Sequence, residues 1–202
     1  FANILTPFSQ QVIRKINELL AMDLPISLIC PSHGVIWRQD PLQIVNKYLQ
    51  WANAYQENQI TIIYDTMWNG TKRMAEAIAE GVREADADVV IKLYNTGKTD
   101  MNDVITEIFK SKAVAVGSPT VNRALLSSVA GILEVIRGLG LKQKRAVAFG
   151  AYGWSGESVK LITTKLQESG FEVDCDGVRA LWNPNIEALA ECRELGRRLA
   201  AR

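Results

Sequence analysis

Cysteine, histidine and proline are all scarce in this chain. The three cysteines, Cys30, Cys175 and Cys192, lie far apart and form no C-x-x-C pair, which argues against a thiolate metal site or a disulfide framework. They read as reduced, mostly core residues. Histidine occurs once, at His33, and charge of one sign is missing as well. With 23 Lys and Arg against 22 Asp and Glu the net charge is +1, so no basic field exists to draw nucleic-acid phosphates, and no nucleic-acid partner is expected. No apolar run approaches the roughly 20 residues that cross a bilayer, and the N-terminus has no basic stretch followed by an apolar signal core. No membrane partner is expected, and the expected location is cytoplasmic. The chain opens on Phe1 rather than Met, directly in apolar-patterned sequence, which reads as a fragment of a longer protein.

What is present is an ordinary globular composition, 48% apolar and 22% charged, in 202 residues. From about Ile60 onward, short β-branched runs alternate with amphipathic stretches, the pattern of a parallel sheet covered by helices on both faces. Strands are expected at Ile60 to Tyr64, Val89 to Leu93, Ala113 to Val116, Ala146 to Phe149 and around Phe171 to Asp174. Between them, Met74, Ile78 and Val82 share one helix face, as do Leu126, Val129, Leu133 and Ile136, and then Val159, Ile162 and Leu166. Asn183 as N-cap and Pro184 at the first helical position predict a last helix with Ile186, Leu189 and Ala190 facing inward. The first 57 residues differ, with a helix near Phe8 to Met22, a short strand at Ile26 to Cys30 and a helix started by Asp40 and Pro41. Domains are therefore expected at 1–57 and 58–202.

Three loops carry the chemistry. The first, Tyr64-Asp65-Thr66-Met67-Trp68-Asn69-Gly70-Thr71, leads from the first strand into a helix, where backbone N–H groups and the helix N-terminus can surround an anion. It holds no lysine, so it is neither G-x-x-x-x-G-K-[ST] nor G-x-G-x-x-G. The expected ligand is a monophosphate held mostly by neutral donors, with Thr66, Asn69 and Thr71 each able to add a hydrogen bond. The second loop is Gly117-Ser118-Pro119-Thr120-Val121-Asn122 and the third Gly150-Ala151-Tyr152-Gly153-Trp154-Ser155-Gly156. All three fall at one edge of a doubly wound sheet. Trp68, Tyr152 and Trp154 offer walls for a flat three-ring cofactor, and Gly150, Gly153 and Gly156 allow close backbone approach to a ring edge.

Together, Tyr64-Asp65-Thr66-Met67, the hydroxyl pair Thr66 and Thr71, the run from Phe149 to Gly156, and Ser32-His33-Gly34 upstream resemble the flavodiiron family, in particular its rubredoxin-fused branch. The resemblance implies a flavodoxin-like doubly wound five-stranded parallel sheet with helices on both faces, preceded by a partial metallo-β-lactamase-like segment. It implies FMN as cofactor, contacted by Thr66 to Thr71, Ser118 to Asn122 and Gly150 to Gly156. It further implies electrons arriving from a rubredoxin-type donor or an NADH-linked reductase and leaving for a diiron centre that reduces nitric oxide or dioxygen in a head-to-tail homodimer. His33 matches the last iron-ligating histidine of that family. One imidazole cannot hold two irons, so metal is expected in the full-length protein only. No residue here is expected to act as acid, base or nucleophile. Asn69-Gly70 departs from the Gly-Asn order usual in flavodoxins. Two other readings share the fold: an FMN-dependent NAD(P)H:quinone reductase, and a receiver-like signalling module, for which only Asp65 of an acidic cluster is present.

Overall fold

A computed structural model describes residues 1–32, 34–173 and 175–201. It divides into two compact units, Phe1–Tyr55 and Gln56–Arg202. The first strand of the larger unit begins at Glu57.

In the smaller unit, α1 (Ser9–Leu20) and α2 (Leu42–Ala52) pack on each other, and the rings of Phe1, Tyr48 and Trp51 cluster with centroids 5.5 to 6.0 Å apart. The strand expected at Ile26 to Cys30 is not formed. Only Ile29 pairs, with Trp37, through two backbone bonds of 3.1 and 2.9 Å, because no neighbouring position extends the bridge into a ladder. His33 lies outside the described residues.

The larger unit is a parallel sheet built from β1 (Glu57–Tyr64), β2 (Val90–Asn95), β3 (Ser111–Gly117), β4 (Arg145–Tyr152), β5 (Glu172–Val173) and β6 (Val178–Leu181). The order is β2-β1-β3-β4-β5, with β6 also on β4. β5 pairs with Arg145 and Ala146 at the start of β4, and β6 with Phe149 to Tyr152 at its end. The fifth position of the sheet is thus one edge strand in two pieces, of which the sequence pattern announces only the first. Gly177 makes the return possible: its φ is +77°, and a Cβ there would lie 2.4 Å from the Ala148 carbonyl oxygen. Four alternating residues after a glycine are too short a run to stand out as a strand.

The helices α3 (Gly70–Ala85), α4 (Met101–Lys110), α5 (Ser127–Leu139), α6 (Glu157–Glu168) and α7 (Ile186–Ala200) cover both faces. On one face, Met74, Ile78 and Val82 of α3 and Cys192, Leu195 and Leu199 of α7 bury Ile60, Ile62, Val147 and Phe149. α7 starts later than the sequence suggests. Asn185, not Asn183, is its N-cap, its side chain accepting from Ala188 N at 2.9 Å. The helix is rotated accordingly, so Ile186 and Ala190 are exposed while Cys192, Leu195 and Leu199 turn inward. Burial pushes the Cys192 thiol up to about 12, which leaves it inert at neutral pH.

α3 and α7 touch backbone to backbone. A Cβ on Gly81 would lie 1.9 Å from the Arg193 carbonyl oxygen, and one on Gly196 would lie 2.1 Å from that of Ile78. Arg193–Glu80 and Arg197–Glu84 ion pairs, at 2.9 and 2.7 Å, flank the crossing.

At the sheet edge where β1 and β3 begin, Lys144 is 3% exposed, and its Nζ donates to the Phe109 and Ser111 carbonyls at 2.9 and 2.7 Å. Burial lowers its pKa from 10.5 to about 8. Between those values the unfolded chain binds the proton and the folded chain does not, so stability rises with pH across that window and is flat below it. Relative to a Lys144→Met chain, the protein is expected to gain about 3 kcal/mol between pH 8 and 10.5 in denaturant titrations. A pH-independent difference would contradict this.

Candidate functional site

The first loop leaves the C-terminal end of β1 between β2 and β3, where the strand order reverses. Asp65 fixes its start. The Asp65 amide donates to Gly117 O at 3.1 Å, Oδ1 accepts the Thr66 amide at 2.7 Å, and Oδ2 accepts the Ser128 hydroxyl at 2.6 Å. Asn69 then turns the chain with φ +62°, the left-handed conformation that asparagine tolerates better than most residues. This accounts for the Asn-Gly order. Gly70 follows because a Cβ there would sit 3.2 Å from the Ala151 Cβ and 3.3 Å from the Trp182 carbonyl oxygen.

Asn69, the N-cap of α3, makes no side-chain capping bond. Thr71, in its first turn, is 1% exposed, and its Oγ1 is buried without a hydrogen-bond partner among the described residues. A buried hydroxyl at an open helix N-terminus is costly unless an acceptor arrives to meet it. A phosphate is such an acceptor.

The second loop is braced from beneath. Ser118 is fully buried, and its hydroxyl accepts the Leu126 amide at 3.0 Å and donates to Pro119 O at 2.9 Å. The Thr120 amide donates to Ala151 O at 2.9 Å, tying this loop to the third. Val121 and Ala124 exchange backbone bonds of 3.1 and 2.8 Å around Asn122 and Arg123, both with positive φ (+51° and +60°). This is a type I′ turn, and it projects Asn122 and Arg123 at its tip.

In the third loop Gly150 lets the strand pass within 2.1 Å, measured from where a Cβ would be, of the Ser118 carbonyl oxygen. Gly153 leaves room for the Trp182 indole, whose Cη2 would lie 3.0 Å from a Cβ there. Trp182 itself holds a φ of +55° and donates its amide to Tyr152 O at 2.7 Å. Its ring meets that of Trp154 edge-on, with centroids 5.2 Å apart.

These loops enclose a cavity of about 820 Å³, within the size range of small-molecule and cofactor sites. Of the residues expected at the site, Thr66, Met67, Trp68, Gly70, Thr71, Pro119, Thr120, Val121, Asn122, Ala151, Tyr152, Gly153, Trp154 and Ser155 line it. Asn69 lines instead a smaller polar hollow on the outer side of the loop, with Lys72 and Lys98. Ser118, Gly150 and Gly156 do not line the cavity; they brace or space the loops behind it. Three lining residues escape the sequence pattern: Arg123, Trp182 and Asn183. Trp182 and Asn183 follow β6, so recognising that strand would have marked them as a further loop at the same sheet edge.

A family model described as flavodoxin matches residues 62–196. A flavodoxin from the domain Archaea superimposes with a TM-score of 0.63 at 30% identity, over 70% of this chain and 96% of that one. The chain belongs to the flavodoxin family. Membership implies FMN, and the donor set fits it: hydroxyls and helix amides for a phosphate, and exposed indoles for a ring.

The likeness to flavodiiron proteins holds along the whole chain. The anaerobic nitric oxide reductase flavorubredoxin of Aeromonas hydrophila is 50% identical over 200 residues, which are 99% of this chain and 40% of that protein. The rubredoxin oxygen:oxidoreductase of Desulfovibrio gigas superimposes with a TM-score of 0.93 at 34% identity, over 99% of this chain and 50% of that one. The chain therefore spans about two fifths of the length of the flavorubredoxin. Among the described residues no helix is long and apolar enough to cross a membrane, and no group of three or more His, Cys, Asp or Glu side chains is placed to hold a metal ion.

Proposed function

We propose that this chain is the FMN-binding electron-transfer part of a flavodiiron reductase. The observation that carries the reading is the buried, unpartnered Thr71 hydroxyl at the uncapped start of α3, in a cavity large enough for the cofactor. Bound there, FMN supplies electron acceptance and donation. Thr66, Thr71 and the first amides of α3 hold the phosphate. Trp68, Tyr152 and Trp154 flank the ring, and the Thr120 to Asn122 turn and the Ala151 to Ser155 loop shape its edge. The Asp65–Ser128 bond keeps the phosphate loop in place, and no side chain of the cavity is required to transfer a proton.

The electron donor is a rubredoxin-type protein or an NADH-linked reductase, and the acceptor is a diiron centre reducing nitric oxide or dioxygen. Support comes from the names of the two full-length relatives, a nitric oxide reductase and an oxygen:oxidoreductase. In this reading residues 1–57 are the end of a metallo-β-lactamase-like domain and His33 one of its iron ligands. The working protein is a cytoplasmic head-to-tail dimer in which the flavin of one subunit faces the metal site of the other.

Fluorescence titration of the flavin-free chain with FMN and with riboflavin tests the cofactor assignment. FMN is expected to bind one per chain and at least about tenfold more tightly than riboflavin, since each charge-assisted bond to phosphate contributes about 1.5–3 kcal/mol. Equal affinities would remove the phosphate cradle, and binding of neither would overturn the reading. Rapid reduction of the bound flavin by NADH alone would replace the carrier role with that of a quinone-reductase-type enzyme.

A further inference from the structure

Among the described residues, the cavity lining contains no carboxylate and one charged side chain, Arg123. Every other lining residue is neutral: hydroxyl, amide, aromatic, thioether or aliphatic. The position of Arg123 is set by backbone geometry, since it is the third residue of the turn closed by the Val121–Ala124 bonds. No acidic side chain is paired with Arg123 among the described residues. It stands on the β3–α5 loop, a different element from α3, whose first turn holds the buried Thr71 hydroxyl. The cation and the anion slot are thus carried by different elements of the cavity wall.

We propose that Arg123 raises the reduction potential of the bound flavin by favouring its reduced, anionic ring. The inference rests on the FMN reading above. Oxidised FMN has a neutral ring, and two electrons with one proton give a ring bearing one negative charge (FMN + 2e⁻ + H⁺ → FMNH⁻), the phosphate being unchanged. A cation fixed at the cavity wall attracts the charged ring and leaves the neutral one nearly unaffected, and a ligand shifts an equilibrium only through such a difference. In free solution Arg123 is exposed and its field is screened. A ring seated in the cavity displaces that water and strengthens the interaction. Among the described residues no carboxylate lines the cavity beside it; the nearest carboxylate on the page, that of Asp65, lies behind the first loop, bonded to the Thr66 amide and the Ser128 hydroxyl.

A charge series at this position tests the assignment: Arg123→Lys, Arg123→Gln and Arg123→Glu, each loaded with FMN and titrated with dithionite in a spectroelectrochemical cell with mediators. Oxidised FMN and riboflavin are titrated in parallel into the flavin-free proteins. Arg123→Gln is expected to lower the affinity for reduced relative to oxidised FMN about tenfold, about 30 mV in a two-electron midpoint. Arg123→Glu is expected to lower it further and Arg123→Lys to stay within about threefold of the original protein, with oxidised-FMN binding little changed throughout. A midpoint that does not follow the charge of residue 123 overturns the proposal. So does a loss of FMN affinity in Arg123→Gln that riboflavin does not share, since the guanidinium would then be reading the phosphate. Failure of the unsubstituted chain to bind FMN overturns this proposal together with the functional reading. A normal FMN affinity with an invariant midpoint overturns this proposal alone.

Discussion

A Gly81→Leu chain is expected to lose at least about 4 kcal/mol of stability, enough to leave a domain of ordinary stability largely unfolded at 37 °C. The reason is the crossing of α3 and α7. A Cβ at Gly81 meets a backbone oxygen at 1.9 Å, not the end of a flexible side chain, so the only relief is to push the two helices apart. Separation would open contacts along the Met74, Ile78 and Val82 face and stretch both flanking ion pairs. Even Gly81→Ala, which helix propensity alone would favour by about 1 kcal/mol, is expected to destabilise. Gly138 provides the control. It lies near the end of α5, exposed, with nothing within 4 Å of where a Cβ would stand, and Gly138→Ala is expected to stabilise by about 0.5–1 kcal/mol. Urea titrations of the three variants measure both signs. A Gly81→Ala chain as stable as Gly138→Ala would show that the crossing is looser than described.

The second large effect separates folding from cofactor binding. Replacing Thr71 by valine keeps the buried volume and deletes a hydroxyl that has no protein partner, so the flavin-free chain is expected to keep its stability or gain about 1 kcal/mol. Combined with Thr66→Ala, the same change removes two donors to a charged phosphate. The FMN dissociation constant is then expected to rise by roughly two to four powers of ten, with riboflavin binding nearly unaffected. Thermal unfolding without ligand and fluorescence titration with each flavin give the two readouts. Opposite responses of stability and affinity are the signature of a residue kept for its ligand. Equal losses of FMN and riboflavin affinity would instead mean that the loop had collapsed.

The parallel sheet, its helices and most of the cavity are legible in the sequence because strong local signals coincide. The β-branched runs at Ile60 to Tyr64 and Ala113 to Val116 are fully buried strands, and Met74, Ile78 and Val82 repeat at helical spacing. Loops following such strands are placed at one edge by topology alone, which is why fourteen of the residues expected at the site line the cavity. What escapes is long-range. β6 is specified less by its own four residues than by the close passage of Gly177 over Ala148, and Trp182 and Asn183 go unread with it. The start of α7 is misplaced because two asparagines bracket Pro184, and it is the second, Asn185, whose side chain accepts the Ala188 amide. Arg123 sits in a turn whose positive φ values belong to Asn122 and to Arg123 itself, with no glycine to advertise it.

The glycines of α3 have a mechanical meaning as well. Gly70, at the helix start, lies under the Trp182 carbonyl and Pro184, and Gly81, roughly 16 Å further along, lies against Arg193. The helix is therefore held at two points by one continuous stretch of chain, the segment that begins with Trp182 and runs through α7. Two close approaches that far apart resist tilting of the helix against that stretch. The threonine that waits for the phosphate and the indole beside the opposite wall are accordingly parts of a single stiff frame. The cavity can keep its width with no ligand inside it, and the flavin need not reorganise its surroundings each time its charge changes.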